Sequence, residues 1–333
     1  MQETLVQPVK KRISRKVTDS INGWLFVLPA LVLMAIFTFY PIVNALISAF
    51  KNNYEGLTGS YQGWGIDNFK VVLSDSAGVG MDFTNALFNT LVFAFISVPI
   101  STILALLISV ALNSIKVLQK AFQTIYFLPY LTNTLAMGAV FATFFKIVGT
   151  PRNPETYGLV NNIIQFFGGK PINWINSSAF YNGVKIPYNE WLSRFVVIIF
   201  EIWSGLPFKI LILFSALQSV NKQYYDAAKI DGASKTRTLT HITVPLISPM
   251  LSYLLITGIM GGLKAYSAII GLFGGTKMGV TPKNEMGTMV GYIYACIDTG
   301  VTGIASAASL ILFAIIMVVT LINLYVSKKK VHY

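Results

Sequence analysis

Runs of more than twenty residues without a charged side chain recur along this sequence, and they restrict the fold more than any other feature in it. Residues 24–50, 85–113 and 303–326 contain no Asp, Glu, Lys or Arg, and 121–147 contains only Lys146. The hydrocarbon core of a bilayer takes about 20 consecutive apolar residues per helix, so each of these runs is long enough to cross it. The composition agrees. Hydrophobic residues make up 54% of the chain and charged residues 11%, against about a quarter charged in soluble domains. A soluble two-domain chain fits these numbers poorly, and the reading is an all-α polytopic protein with membrane lipid as its main surroundings.

Six segments qualify as spans, at 24–50, 85–113, 121–147, 192–220, 246–274 and 303–326, each long enough to cross with some tilt. Two shorter apolar stretches, 158–167 and 289–297, fall below spanning length and read as interfacial or buried pieces, with 289–297 the one that would raise the count. Lys10, Lys11, Arg12, Arg15 and Lys16 precede the first run as in a signal peptide. The run itself exceeds the usual apolar region of about 7 to 15 residues, so it reads as a retained first span. The chain thus divides into a basic segment 1–23, a transmembrane domain 24–326 with a polar loop at 221–245, and a tail 327–333. Loops on the side of the N-terminus carry fourteen Lys and Arg and those on the other side seven. Basic loops stay in the cytoplasm, which puts both termini and the 221–245 loop there. Pro29, Pro41, Pro99, Pro129, Pro207 and Pro249 lie inside the spans, where each removes a helix hydrogen bond that neighbours or water must replace.

A net charge of +12 raises nucleic acid as a partner, but the basic residues sit beside apolar runs rather than on one soluble face, so no nucleic-acid partner is expected. Cys296 is the one cysteine, and His241 and His332 are far apart. That leaves no disulfide framework and no metal-ligand spacing. There is no G-x-x-x-x-G-K-[ST] phosphate loop, so no cofactor is expected in this chain.

The 221–245 loop is too polar for the membrane and is patterned. Residues 224–230 have helical composition, Gly232 suits the positive φ that ends a helix, and Ser234 suits the cap of a second one. Ala227, Ala228 and Ala233 leave a low-relief surface that fits a groove on a partner, and Asp226 and Asp231 offer carboxylates to basic groups there. On pattern alone, a connecting loop with good caps fits equally well.

Asp226-Ala227-Ala228, then Gly232, then Ile242-Thr243-Val244-Pro245 resembles the EAA motif of bacterial ABC-importer permeases, with Asp226 for the usual glutamate and Val244 for the usual leucine. Phe39-Tyr40-Pro41, Asp67-Asn68-Phe69, Phe127-Leu128-Pro129-Tyr130, Gly158-Leu159-Val160-Asn161 and Ala216-Leu217-Gln218-Ser219 resemble carbohydrate permeases of the maltose and glycerol-phosphate uptake type, in the same order along nearly the whole chain. The resemblance implies a type I importer architecture of six transmembrane helices, and a second permease subunit, expected to be a different chain. It also implies two ATP-hydrolysing subunits that bind ATP and Mg, and an external sugar-binding protein. Asp226, Ala227, Ala228, Asp231, Gly232, Ala233 and Pro245 would then couple this non-catalytic subunit to the ATPase. A secondary transporter or channel is the alternative, disfavoured by the EAA segment and by the lack of a visible internal repeat. A membrane-embedded enzyme lacks any convergent set of His, Cys or carboxylates.

Ionisable residues inside spans are functional candidates, and Glu201, Lys209 and Lys264 stand out. Counting about 1.5 Å per residue from the span ends puts Glu201 and Lys264 in the same outer half, where they either pair or leave Lys264 for a sugar. A shifted span boundary is the third reading for Lys264. Lys209, nearer the cytoplasm, is expected to snorkel. In the related permeases the stretch matching 262–267 faces the pathway, which favours Lys264 and Tyr266 as substrate contacts. Trp203 is either a stacking platform for a sugar ring or, as is commoner, packing. Asn133 and Thr134 are further polar candidates.

Overall fold

The computed structural model describes residues 15–115, 119–150, 153–176, 179–181, 183–274 and 286–330. Most of the 1–23 segment, Lys116, Arg152, Lys277, Lys283 and the end of the tail with His332 lie outside the described residues.

The chain begins with α1 (Arg15–Met34), which passes through a π-helical turn at Ala35–Phe39 into α2 (Tyr40–Ala49). A hairpin of β1 (Lys51–Asn52) and β2 (Gly63–Trp64) leads to α3 (Asp67–Leu73) and α4 (Phe83–Ser114). Then come α5 (Gln119–Phe127), α6 (Thr134–Thr143), a second hairpin of β3 (Ile147–Thr150) and β4 (Asn153–Tyr157), and α7 (Leu159–Phe166). The third hairpin, β5 (Ala179–Tyr181) with β6 (Val184–Ile186), precedes α8 (Glu190–Ser219). The remainder is α9 (Lys222–Ile230), α10 (Lys235–Thr238), α11 (Val244–Leu246), α12 (Ser248–Gly262), α13 (Ser267–Phe273), α14 (Met289–Asp298) and α15 (Thr302–Lys330).

Four helical stretches are long and apolar enough to cross alone, at Asn22–Ala49, Phe83–Ser114, Glu190–Ser219 and Thr302–Lys328. The third and fifth expected spans are not single helices. Gln123–Leu131 and Thr134–Thr143 meet at 102°, and Lys235–Leu246 meets Ser248–Gly262 at 70°. Counting each bent pair as one crossing gives six. In the first pair, Leu128–Leu131 tightens to a 3-10 turn around Pro129, Thr132 is extended, and the Asn133 side chain accepts from the Leu135 N–H at 2.9 Å to start α6 afresh. The 246–274 run is interrupted again at Tyr266 (φ −150°, ψ −60°) between α12 and α13. With six crossings, the three hairpins all fall in loops of one face, opposite the 221–245 loop, so the only strands among the described residues lie outside the helical body. The stretch 289–297 is the short buried piece among its expected readings: as α14 it buries Met289, Tyr292 and Cys296 against α15 and α4.

The core sits where α4 packs on α8, with Phe93 against Val196, Val197 and Phe200, and Ala105 against Ile210, Leu213 and Phe214. In lipid, helices gain little from the hydrophobic effect, so close fit and internal polar bonds hold them together. The face of α4 is made for this. Thr90, Thr102 and Ser109 return their hydroxyls to carbonyls four residues back at 2.7 Å, and Ser109 also reaches the Ile210 carbonyl at 3.1 Å. These bonds leave no hydroxyl of the three without an acceptor in a medium that offers none. Where α6 crosses α13, Gly138 meets Gly271 so closely that a Cβ on Gly138 would stand 2.9 Å from the Gly271 Cα. Only glycine fits there.

Candidate functional site

Local sequence sets the shape of the 221–245 loop. Asn221 caps α9 by accepting from the Gln223 N–H at 3.0 Å. The helix ends in a left-handed turn, with Gly232 at φ +69°, the Ala233 N–H bonded to the Ala228 carbonyl at 2.9 Å and the Gly232 N–H to the Lys229 carbonyl at 3.1 Å. That pair of bonds is the Schellman closure, which needs a residue without Cβ strain at its centre. Ser234 caps α10 by accepting from the Arg237 N–H at 3.2 Å. The chain then continues through a π-helical turn at Leu239–Thr243 into α11, where Pro245 takes an early position that needs no N–H. The Thr243 hydroxyl donates to the Tyr225 hydroxyl at 3.4 Å and ties α9 to this turn.

The two faces of α9 differ. Ala228 is buried at 5% exposure and Ala233 half-buried, while Asp226, Ala227, Asp231 and Gly232 are exposed and Ile230 is 87% exposed. Asp226 meets Lys229 at 3.5 Å with both side chains in solvent, an arrangement that contributes little by itself. A carboxylate, a small residue and a bare isoleucine thus share the outward face.

Inside the helical body, α4, α8 and α12 enclose a cavity of about 190 Å³ lined by Phe93, Ser97, Ser101, Glu201, Gly205, Lys209, Gly258 and Gly262, among others. Lys209 does not snorkel. It is 6% exposed, and its ammonium donates to the Val98 carbonyl at 3.2 Å and to the Ser101 hydroxyl. Nor do Glu201 and Lys264 pair: the ion pairs among the described residues are Lys70–Asp67, Arg194–Glu190 and Lys229–Asp226. Glu201 shares the cavity with Lys209 instead, since residues eight apart, a little over two turns of α8, lie near one side of a helix. Lys264 follows the last turn of α12 and is exposed.

The other candidates scatter. Trp203 packs between Phe141 and Phe200, 6.1 Å from each ring. Tyr266 stacks on Tyr294 at 4.8 Å. Asn133 is exposed and serves the α6 cap. Arg194 escaped the sequence reading although it lies within the 192–220 run. It is 4% exposed and donates to Asn89 at 2.8 Å and Asn85 at 3.2 Å, with Glu190 at 3.0 Å. The i,i+4 spacing of Glu190 and Arg194 was the available signal.

Residues 71–332 match the family described as the binding-protein-dependent transport system inner membrane component. The chain belongs to that family. As a binding-protein-dependent inner membrane component it is a multi-pass membrane permease of a transport system, and its long helices and bent pairs are the crossings. Among its relatives, the arabinooligosaccharides transport system permease protein AraP of Bacillus subtilis is 29% identical over 91% of this chain and 88% of that protein. The lactose transport system permease protein LacF of Rhizobium radiobacter is 28% identical over 93% and 94%. The trehalose/maltose transport system permease protein MalF of Thermococcus litoralis is 27% identical over 94% and 96%. A chain in the crystal structure of a bacterial alginate ABC transporter with a pentasaccharide-bound periplasmic protein superposes with a TM-score of 0.76 at 21% identity, covering 96% of this chain and 98% of that one. A second alginate importer structure gives 0.75 at 24% identity. The type I ABC-importer permease architecture is therefore the fold of this inner membrane component.

Proposed function

We propose that this chain is the transmembrane subunit of an ATP-binding-cassette importer for a sugar or oligosaccharide, contributing half of the translocation pathway and no catalytic group of its own. The observation that carries this is the outward face of α9, which presents Asp226, Ala227 and Asp231 beside a glycine turn held by its own backbone bonds. An exposed face that offers two carboxylates beside small and apolar side chains suits a cleft with basic groups on a separate ATPase, and there ATP and Mg would be bound. The relatives named for arabinooligosaccharides, lactose and trehalose or maltose support a sugar as cargo, and the family's description supports an external binding protein over an ATP-independent carrier. A second permease subunit, a different chain, would cover the stretch from α1 into α2, where every residue from 22 to 44 is exposed. Both termini and the 221–245 loop would lie in the cytoplasm.

Coupling then runs through connected elements. Closure of the ATPase on ATP shifts α9, the Tyr225–Thr243 contact carries the shift to the Leu239–Thr243 turn, and the bend before α12 passes it to a helix that lines the cavity through Gly258 and Gly262. This is shear of packed helices driven by a ligand that prefers one state. Glu201, Lys209 and the Ser97 and Ser101 hydroxyls in the cavity form a polar lining for sugar hydroxyls, with Lys264 and Tyr266 nearer its outer approach.

The test is the assembled complex carrying Gly232→Asp or Asp226→Lys. Both substitutions leave the spans untouched, so the permease pair forms normally. The left-handed backbone at Gly232 disfavours any side chain by about 1–2 kcal/mol, and the charge reversal repels a basic cleft. The expected result is ATPase lost on purification, or retained without ATP-driven sugar uptake into vesicles. Wild-type uptake with the ATPase fully bound in both variants would make this an ordinary loop.

A further inference from the structure

Behind α9, a cavity of about 450 Å³ lies between the last turns of α4 and α8 and the α9–α10 turn. Val110, Leu217 and Leu239 give it an apolar wall, and Lys229 and Lys235 stand in its lining without any carboxylate. Val110 and Leu217 belong to the final turns of two spanning helices, so the cavity sits where these helices leave the bilayer. Tyr225 and Lys229, one turn apart, face it, while Asp226 and Ile230 face out. Lys229, 3.5 Å from Asp226, borders both the outward face and the cavity, so the two surfaces adjoin along α9.

We infer that this cavity holds one anionic phospholipid of the cytoplasmic leaflet, its phosphate between Lys229 and Lys235 and an acyl chain along Val110, Leu217 and Leu239. Water gains nothing from the apolar wall, a free anion uses only the lysines, and a neutral lipid uses only the wall. An anionic lipid uses both. Clustered Lys and Arg beside a spanning helix on the cytoplasmic side attract acidic headgroups in this way. Lys235 has no ion-pair partner among the described residues, and Lys229 meets only the exposed Asp226. A lipid there would wedge the α9–α10 turn against the ends of α4 and α8 and stiffen the coupling path. The inference rests on the cytoplasmic placement of the loop, yet its test reads lipid retention and not uptake, so the two can fail separately.

The experiment is native mass spectrometry of the whole complex from nanodiscs of phosphatidylglycerol mixed with phosphatidylcholine. The wild type is expected to retain one phosphatidylglycerol per copy of this chain, and the Lys229→Gln/Lys235→Gln variant to retain about 30-fold less. Val110→Trp, which fills the apolar wall and leaves both lysines, should also release it. Excess inorganic phosphate should leave the lipid in place. Equal retention of phosphatidylcholine, retention in both variants, or displacement by phosphate alone would overturn the assignment. Should the lysine variant fail to assemble, the Val110→Trp arm and the lipid comparison on wild type decide it.

Discussion

Replacing Lys209 by methionine would take away the cation that shares the cavity with Glu201, together with its bonds to the Ser101 hydroxyl and to the Val98 carbonyl, which keeps the Thr102 hydroxyl as a donor. Removing one member of a buried charged set is more disruptive than removing both, because a charge is left in low dielectric without its partner. Lys209→Met should therefore lower the thermal stability and yield of the purified complex, and Glu201→Gln in the same chain should restore part of both. Lys264→Ala, at an exposed position, should assemble as wild type. Equal stability of Lys209→Met and Lys264→Ala in a detergent melting assay would mean that the buried lysine supports the fold no more than an exposed one. Residues whose geometry is settled by near neighbours were legible in the sequence: the Gly232 turn and the Ser234 cap depend on a few flanking positions, and the structure has both. Partnerships between helices were not. Glu201 sits with Lys209 and not Lys264 because azimuth about α8 decides the contact, whereas depth in the membrane was the only coordinate the sequence supplied. Arg194 was passed over for a related reason, since its asparagine partners are on α4, more than a hundred residues away.

At the scale of elements, α6 and α13 meet through Gly138 and Gly271, and this contact holds the broken third crossing against the helix that follows α12. Gly138→Leu should drive the pair apart, since backbone atoms and not a flexible side chain stand in the way. Overpacking of this kind destabilises by about 1–3 kcal/mol or more. The expected outcome is a lowered melting temperature with α9 still able to retain the ATPase, checked by melting the purified complex and quantifying the bound partner. A variant that melts as wild type would mean that the crossing adjusts freely. Crossings made of one unbroken helix were visible as long apolar runs, uncharged in α4 and α15 and interrupted by Arg194, Glu201 and Lys209 in α8. The breaks were not, because a polar residue inside an apolar run, such as Thr132, Asn133 or Tyr266, reads equally as a side chain facing the pathway and as an interruption of the helix. Proline was an uneven guide: Pro29, Pro99 and Pro207 lie within continuous helices, whereas Pro129 lies in the 3-10 turn at Leu128–Leu131 and Pro245 and Pro249 flank the bend at Ile247.

For the whole molecule, the helices make six crossings when each bent pair counts as one, with one buried short helix and a polar loop between the fourth and fifth, and in the proposed importer the remaining parts would be other chains. The bare first helix has a consequence for the life of the protein in the cell. The family match starts at residue 71, and the helical stretch ahead of it, Asn22–Ala49, has none of its most apolar window buried within the chain. A subunit synthesised alone would leave α1 without a neighbour in the bilayer, although the end of α2 packs on α15, and a helix so exposed is a natural target for quality control. Pulse-chase labelling in cells that lack the second permease should then show a lifetime several-fold shorter than in cells that make both, and deletion of the first 50 residues should abolish the difference. Identical decay in the two strains would count against it. On the expected outcome the exposed helix would act as a timer on incomplete complexes, and the supply of one chain would set how much of the other survives.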